Sequence, residues 1–171
     1  MTRTPPSPFV VPVGELRRRD GNTTRVQVRG PLPGLAVTGT VVPEDADVAV
    51  DLVLEAVPLA VVAHGEVTAP WVGECRRCLQ PVTGEARTEV RELFEETPDP
   101  EQTYPLVGDQ IDLEPLARDA VLLELPLAPL CTEDCRGLCP QCGVNRNEKD
   151  CACVSDASDP RWAALDALRE P

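Results

Sequence analysis

The stretch that decides the fold is residues 47–57, which read Asp-Val-Ala-Val-Asp-Leu-Val-Leu-Glu-Ala-Val. Successive side chains of a β-strand point to opposite faces of a sheet, so this alternation indicates a strand with one buried face. The apolar positions of that face are Val48, Val50, Leu52, Leu54 and Ala56. Asp51 and Glu55 fall on the opposite face, which we expect to meet solvent.

Further β patterns lie on both sides of this strand. They are residues 9–13, 23–29, 59–69 and 85–94. Pro58 suits a turn between the central strand and the run that follows it better than a position inside a sheet. Cys75 and Cys78 fall between the last two runs, so the sequence predicts that this pair lies at the tip of a long hairpin.

Two short helices are predicted after the strands. The first covers about residues 113–125, with Asp112 as its cap and Pro126 at its end. Its apolar residues at helical spacing are Leu116, Ala120 or Val121, and Leu123. The second begins at Asp159 and Pro160, a capping residue and a first-turn proline. Its apolar face is formed by Trp162, Leu165 and Leu168.

The eight cysteines carry the clearest chemical pattern. They fall in four close pairs, which are Cys75 and Cys78, Cys131 and Cys135, Cys139 and Cys142, and Cys151 and Cys153. The run Cys-Pro-Gln-Cys-Gly at residues 139–143 has the form of a zinc knuckle, in which a tight turn directs two sulfurs and nearby N–H groups toward one metal. We expect all eight thiols to hold one or two structural Zn²⁺ ions, because clustered thiols in a reducing compartment bind metal more often than they form disulfides.

Spacing alone leaves the coupling of these pairs open. The preferred coupling is local, with one site formed by Cys139, Cys142, Cys151 and Cys153. The second site would then join Cys131 and Cys135 to the hairpin-tip pair Cys75 and Cys78. The alternative is a single zinc held by Cys135, Cys139, Cys142 and either Cys151 or Cys153.

These patterns predict an α+β fold, namely a mainly antiparallel β domain with a zinc-knuckle C-terminal region and one or two short helices. The chain has 171 residues, of which 3% are aromatic, 19 are proline and 11 are glycine. This composition favours short elements around a core of Val, Leu and Ala. Residues 1–126 would form the β-rich core, and residues 127–171 the cysteine-rich region and C-terminal helix, packed on the core as one unit.

The sequence favours a non-catalytic protein without a small-molecule substrate. Four thiolates fill the coordination of a zinc ion and leave no open position for catalysis. A Cys-x-x-Cys pair also occurs in dithiol enzymes, but there it lies where a strand enters a helix, whereas Cys75 and Cys78 lie between two strands. A redox-regulated zinc switch stays open. The lone His64 falls in a predicted strand, where a packed or solvated side chain is the expected state.

Charge limits the partners. The net charge is −13, which argues against an overall basic surface for nucleic acid. Between Glu89 and Glu114 there are nine acids and one base, Arg91. Such a run is usually a solvated loop, and the alternative is a docking surface for a basic protein. The candidate partner-binding residues are Glu92, Glu95, Glu96 and Asp99 there, and Arg76 and Arg77 for a local RNA contact.

Nothing at the N-terminus has the basic and apolar regions of a signal peptide. The longest apolar run, residues 59–63, is far shorter than the roughly 20 residues that span a bilayer. We therefore expect a soluble, cytoplasmic protein without a membrane partner.

Two cysteine motifs together resemble those of the YceD family. They are ECRRCLQPV at residues 74–82 and CRGLCPQCGVN at residues 135–145. The similarity continues through residues 151–153 and 159–165 and is that of the Gram-positive or actinobacterial form, with the full set of C-terminal cysteines. Members of this family are described as large ribosomal RNA subunit accumulation proteins. The resemblance implies a role in accumulation of large-subunit ribosomal RNA, and no biochemical mechanism.

Three functions remain open at this point. The leading one is a non-catalytic zinc-binding factor that promotes accumulation or assembly of the large ribosomal subunit, with a large-subunit precursor or a basic ribosomal protein as partner. The second is a zinc module that binds RNA directly, and the third is a thiol-based, redox-regulated protein.

Overall fold

The structure is a computed structural model that describes residues 7–153 and Arg161. Within these residues the protein is mainly β, with a nine-stranded sheet and a single α-helix. The strands are β1 (Val10–Pro12), β2 (Thr23–Pro31), β3 (Ala36–Val37), β4 (Thr40–Val41), β5 (Asp47–Val57), β6 (Ala60–Glu74), β7 (Pro81–Glu95), β8 (Tyr104–Val107) and β9 (Gln110–Asp112). A 3₁₀ turn, Leu16–Arg18, follows β1, and helix α1, Glu114–Glu124, follows β9. The mainly β character predicted from the sequence is confirmed.

The hairpin of β6 and β7 is the centre of the sheet. These two 15-residue strands pair along their whole length, from Ala60 opposite Glu95 to Glu74 opposite Pro81. On its other side β6 pairs first with β5 and then with β4, and β2 lies beyond β5. Strands β8, β9 and β1 continue the sheet from β7, and β7 with β8 is the parallel pair. The sheet is therefore mixed, although most neighbours are antiparallel.

Strand β5 has the predicted bounds, and its predicted apolar face is buried. Strand β6 is longer than expected, because Pro70 does not end it. The pairing of β6 with β5 stops at Thr68, and its pairing with β4 begins at Val72. Pro70 lies in the gap between these two partners, where a missing N–H removes no ladder hydrogen bond on that side.

Helix α1 lies against β6 and β7. It buries Leu116, Ala117, Ala120 and Val121. Asp112 accepts a hydrogen bond of 2.9 Å from the N–H of Glu114, which satisfies one of the free donors at the start of the helix. The prediction for Leu123 was wrong: its side chain is 88% exposed, because its flank of the helix faces an open groove. The helix predicted from Asp159 lies outside the described residues.

The acidic stretch from Glu89 to Glu114 is not a solvated loop, and that expectation was wrong. Residues 89–95 belong to β7, and the stretch also contains β8, β9 and the start of α1. The loop is confined to residues 96–103. The β pattern predicted for residues 85–94 is therefore confirmed, and β8 and β9, which follow the loop, were not predicted.

Candidate metal centre

The tip of the β6–β7 hairpin presents the first two thiols. The chain turns between the strands through hydrogen bonds from Cys75 N–H to Gln80 O (2.8 Å) and from Leu79 N–H to Cys75 O (2.9 Å). Leu79 adopts a left-handed conformation with φ of 59°. Cys75 and Cys78 are both buried. This confirms their predicted place at the tip of a long hairpin.

The segment after α1 returns to this tip. Arg76 N–H donates to Pro129 O at 2.9 Å. The Arg77 guanidinium donates to the backbone oxygens of Glu133 (3.1 Å) and Cys135 (3.0 Å). The Arg77 side chain therefore joins the hairpin tip to the returning segment through these two hydrogen bonds.

Cluster I consists of Cys75, Cys78, Cys131 and Cys135, whose sulfur atoms all lie within 4.8 Å of one another. The Sγ atoms of Cys75 and Cys135 are 3.7 Å apart, and those of Cys78 and Cys131 are 3.6 Å apart. A disulfide bond is about 2.05 Å long, so these cysteines are free thiols. Four sulfurs at about 2.3 Å from one tetrahedral metal lie about 3.8 Å apart. The spacing in cluster I is close to that value.

Cluster II consists of Cys139, Cys142, Cys151 and Cys153, which also lie within 4.8 Å of one another. A tight turn positions the first pair: Gly143 N–H donates to Cys139 O (2.9 Å), and Cys139 N–H donates to Val144 O (2.8 Å). Cys139 is buried and Cys142 is exposed. Cluster II is the more solvent-exposed of the two, and the two groups match the local coupling preferred from the sequence.

Backbone N–H groups determine where negative charge is stabilised in cluster I. Burial raises the pKa of Cys75, but the N–H groups of Cys131, Arg77 and Cys78 outweigh burial and lower that pKa to about 6. The N–H of Gln80 lowers the pKa of Cys78, but burial and the hydrogen bond with Cys75 outweigh it, and the pKa rises to about 12. Further thiolates beside the first therefore need a positive charge among them.

Cluster II repeats this division. The N–H groups of Cys142 and Gln141 lower the pKa of Cys139 to about 6. The hydrogen bond with Cys142, followed by burial, raises the pKa of Cys153 to about 12. A divalent cation at the centre of either cluster would supply the missing positive charge, since thiolates and not thiols are the metal ligands.

Asn147 joins the loop between the cysteine pairs of cluster II to cluster I, and the sequence did not predict this contact. This residue lies between the two cysteine pairs of cluster II, yet its amide donates to Cys135 Sγ of cluster I at 3.2 Å. Its carbonyl oxygen accepts from the N–H of Arg136 at 2.7 Å. An asparagine four residues before Cys151 carries no motif of its own, so only the fold reveals this contact.

A family model described as "Large ribosomal RNA subunit accumulation protein YceD" matches residues 63–169, which is more than half of the chain. The chain belongs to the YceD family. The match begins in β6 and includes all eight cysteines of clusters I and II, together with α1.

Relatives in other organisms extend this YceD assignment. An uncharacterized protein of Mycobacterium tuberculosis is 37% identical over 185 aligned positions, which cover 96% of this chain and 83% of the relative. A second, of Mycobacterium leprae, is 36% identical over 175 positions, covering 96% of this chain and 79% of the relative. The chloroplastic "Large ribosomal RNA subunit accumulation protein YCED homolog 1" of Arabidopsis thaliana is 34% identical over 67 positions, which are 39% of this chain and 21% of that protein. No solved structure matches the chain.

The other candidate residues of this YceD protein are dispersed. Arg76 is exposed beside cluster I, whereas the Arg77 guanidinium is held by the backbone. Glu96 forms an ion pair of 2.6 Å with Arg17, and Glu95 accepts a hydrogen bond from Thr103. The Asp99 carboxylate accepts from Glu101 N–H and from the Gln102 amide, and Glu92 lines a groove beside α1. The basic candidates lie at the tip of the β6–β7 hairpin, whereas Glu92 and Glu95 lie near the opposite end of β7.

His64 lies in β6 opposite Val53 of β5 and Arg91 of β7, and it belongs to neither cluster. In the described part of the chain no helix combines the length and apolar character needed to cross a bilayer.

Proposed function

We propose that this protein is a non-catalytic zinc-binding factor that acts in the cytoplasm and promotes accumulation or assembly of the large ribosomal subunit and its ribosomal RNA. The observation that carries the proposal is the family match over residues 63–169, whose printed description names large-subunit RNA accumulation and whose range contains both thiol clusters. Free thiols in two compact clusters suit a reducing compartment.

We assign one Zn²⁺ to each cluster. Each cluster brings four sulfur donors within 4.8 Å of one another, with N–H groups directed at several of them, and this donor set suits a structural zinc site. Four thiolates leave no open coordination position, which supports a structural role. Metal analysis of protein purified without added metal tests this assignment. We expect two zinc ions per chain and a colourless solution. Visible absorption from thiolate-to-iron charge transfer would show that the clusters bind iron and not zinc.

The metals would hold residues 127–171 against the β-rich core of residues 1–126 as one unit. Hydrogen bonds from Arg76 N–H to Pro129 O (2.9 Å) and from Leu138 N–H to Arg77 O (2.9 Å) support this arrangement. The described part of the later region contains no strand or helix longer than one turn that would order it independently.

Charge favours a basic protein over RNA as the direct partner. With eight thiolates and two Zn²⁺ ions, the formal charge of −13 becomes −17. The basic residues near the clusters are partly occupied, since Arg77 holds backbone oxygens and Arg136 pairs with Asp150 at 2.6 Å. A surface of this sign attracts cationic ribosomal proteins and repels phosphates.

The experiment that tests the function is depletion of the protein in its host, followed by measurement of mature and precursor large-subunit RNA and of free subunits. We expect a deficit of large subunits that the intact gene restores. Unchanged subunit and RNA profiles would overturn the proposal. Native purification with a tag then shows whether a ribosomal protein or precursor RNA accompanies the chain.

A further inference from the structure

An open groove of about 640 Å³ lies between the last turn of α1 and the loop of residues 96–103. Its apolar surface comes from prolines of the loop and from Tyr104, Leu122 and Leu123. Leu123 is 88% exposed, which makes it the most exposed large apolar side chain among the described residues. A helix that packs its other flank into the core leaves this leucine with an uncovered apolar surface.

Contacts within the protein hold the side chains that line this groove in place. The Tyr104 ring stacks on the buried Phe94 ring, with centroids 5.3 Å apart, and its hydroxyl donates to Asp119 Oδ2 at 2.8 Å. The loop is braced by the hydrogen bond of Thr103 Oγ1 to Glu95 (2.9 Å) and by the contacts of the Asp99 carboxylate within the loop. A ligand therefore meets a preformed surface and has little of the protein to order.

The charge around the groove selects the ligand. Its lining includes the carboxylates of Glu92, Glu101 and Asp119 and, among the described residues, no lysine or arginine. Phosphates of a nucleic acid would be repelled by three carboxylates around an apolar floor. A peptide that carries lysine or arginine beside a large apolar side chain complements both properties of the groove.

We propose that this groove binds a cationic peptide segment with a bulky apolar side chain, which packs on Leu123 and Tyr104 while its basic side chains face Glu92, Glu101 and Asp119. This inference deepens the proposed function and rests on it for the identity of the partner as a basic segment of a large-subunit protein. It replaces the broader acidic stretch, because Glu95, Glu96 and Asp99 do not line the groove.

The first test measures binding of fluorescein-labelled 12-residue synthetic peptides to the zinc-loaded, full-length protein. One peptide alternates lysine or arginine with leucine, and its partner peptide has serine in place of each leucine. The groove variant is E92Q/E101Q/D119N. The matched control is D20N/E44Q/D45N, which changes the net charge equally at exposed residues that do not line the groove. For the apolar contact, L123S is compared with V107S, since Val107 is 73% exposed elsewhere.

Each carboxylate at about 7 Å from a cation in water contributes about a threefold change in affinity, so the groove variant should bind the leucine peptide about 20-fold more weakly. The control triple should change affinity less than threefold. L123S should weaken binding of the leucine peptide about tenfold and leave the serine peptide unchanged. Equal losses in the groove and control triples, no effect of L123S, or competition by an RNA oligonucleotide for the same groove would each overturn the inference.

Separate controls check that each variant still folds and that the groove matters for accumulation of the large subunit. Asparagine at position 119 still offers an oxygen to Tyr104, and thermal melting of each variant checks the fold. If the triple variant melts early, E101Q and L123S, both at exposed positions, carry the test alone. In depleted cells, rescue by the wild type but not by L123S supports the groove. Rescue by both overturns the groove and leaves the proposed function intact, whereas peptide binding without any subunit deficit overturns only the function.

Discussion

The side-chain amide of Asn147 donates to Cys135 Sγ at 3.2 Å, so a residue from the loop of cluster II contacts a thiol of cluster I. Burial raises the pKa of Cys135, but the Asn147 hydrogen bond, with others, lowers it below its ordinary value. An N–H directed at a ligating sulfur stabilises the thiolate and fixes its direction. The loop that carries Asn147, between the cysteine pairs of cluster II, therefore helps to stabilise negative charge on a thiol of cluster I.

Replacing Asn147 by alanine should weaken zinc binding at cluster I by about 10- to 100-fold, the usual effect of removing a hydrogen-bond partner of a ligand. Competition with a chromophoric chelator measures this, with zinc release followed in two steps. The control is Asn22→Ala, which removes an amide whose hydrogen bond goes to Leu16 O, far along the chain from both clusters. Equal zinc affinity in the Asn147 variant and the wild type would contradict a supporting role.

Loss of the hairpin-tip thiols should remove one metal and spare the other. We expect C75S/C78S to bind one zinc per chain, because cluster II retains its four sulfurs. Cys131 and Cys135 should then react with an alkylating reagent. The mirror variant C139S/C142S should also retain one zinc. Native mass spectrometry counts the metals, and loss of both from either variant would show a shared site.

Metal removal should disorder residues 130–153 and leave the β-sheet folded. Apart from cysteines, the small buried cluster there depends on a few partly buried side chains, whereas the main core is built from strands and α1. Hydrogen exchange with and without a chelator measures both parts at once. Full protection of residues 130–153 in metal-free protein would exclude structural metal.

Gly137 should tolerate alanine less well than Gly143. Both have positive φ, of 70° and 74°, so either substitution costs about 1–2 kcal/mol in backbone conformation. At Gly137 the new Cβ would also lie 2.9 Å from Arg77 O, whereas nothing lies within 4 Å at Gly143. We expect G137A to lose at least about 1 kcal/mol more in the free energy of unfolding. Denaturant titration compares the two, and equal losses would show that this close approach is unimportant.

The sequence was informative where one local pattern determines the structure. Strand β5 alternates without interruption, and its predicted bounds match the structure. Leu123 follows Leu116 at helical spacing, but spacing cannot tell that the sheet covers one flank of α1 and leaves the other beside a groove. The β run after Pro58 was predicted only as far as Ala69, whereas β6 continues past Pro70 because that proline lies between its partners β5 and β4.

The cysteine pairs were evident from spacing, and their grouping was one of several that spacing allows. It depends on contacts between distant segments, such as Arg76 with Pro129, which pair patterns do not encode. Asn147 and Asp119 lacked any motif, because each acts through one hydrogen bond to a residue brought near by the fold.

The distance along the chain between the halves of cluster I has a consequence for synthesis. Cys78 and Cys131 are 53 positions apart, whereas all of cluster II falls within residues 139–153. During translation the hairpin tip therefore emerges with two of the four thiols of cluster I, and the other two emerge later. Closing the long loop between Cys78 and Cys131 is slower than closing the short loop of cluster II. All four thiols of cluster I are present only in a chain translated beyond residue 135, and a truncated chain that contains the sheet alone lacks two of them.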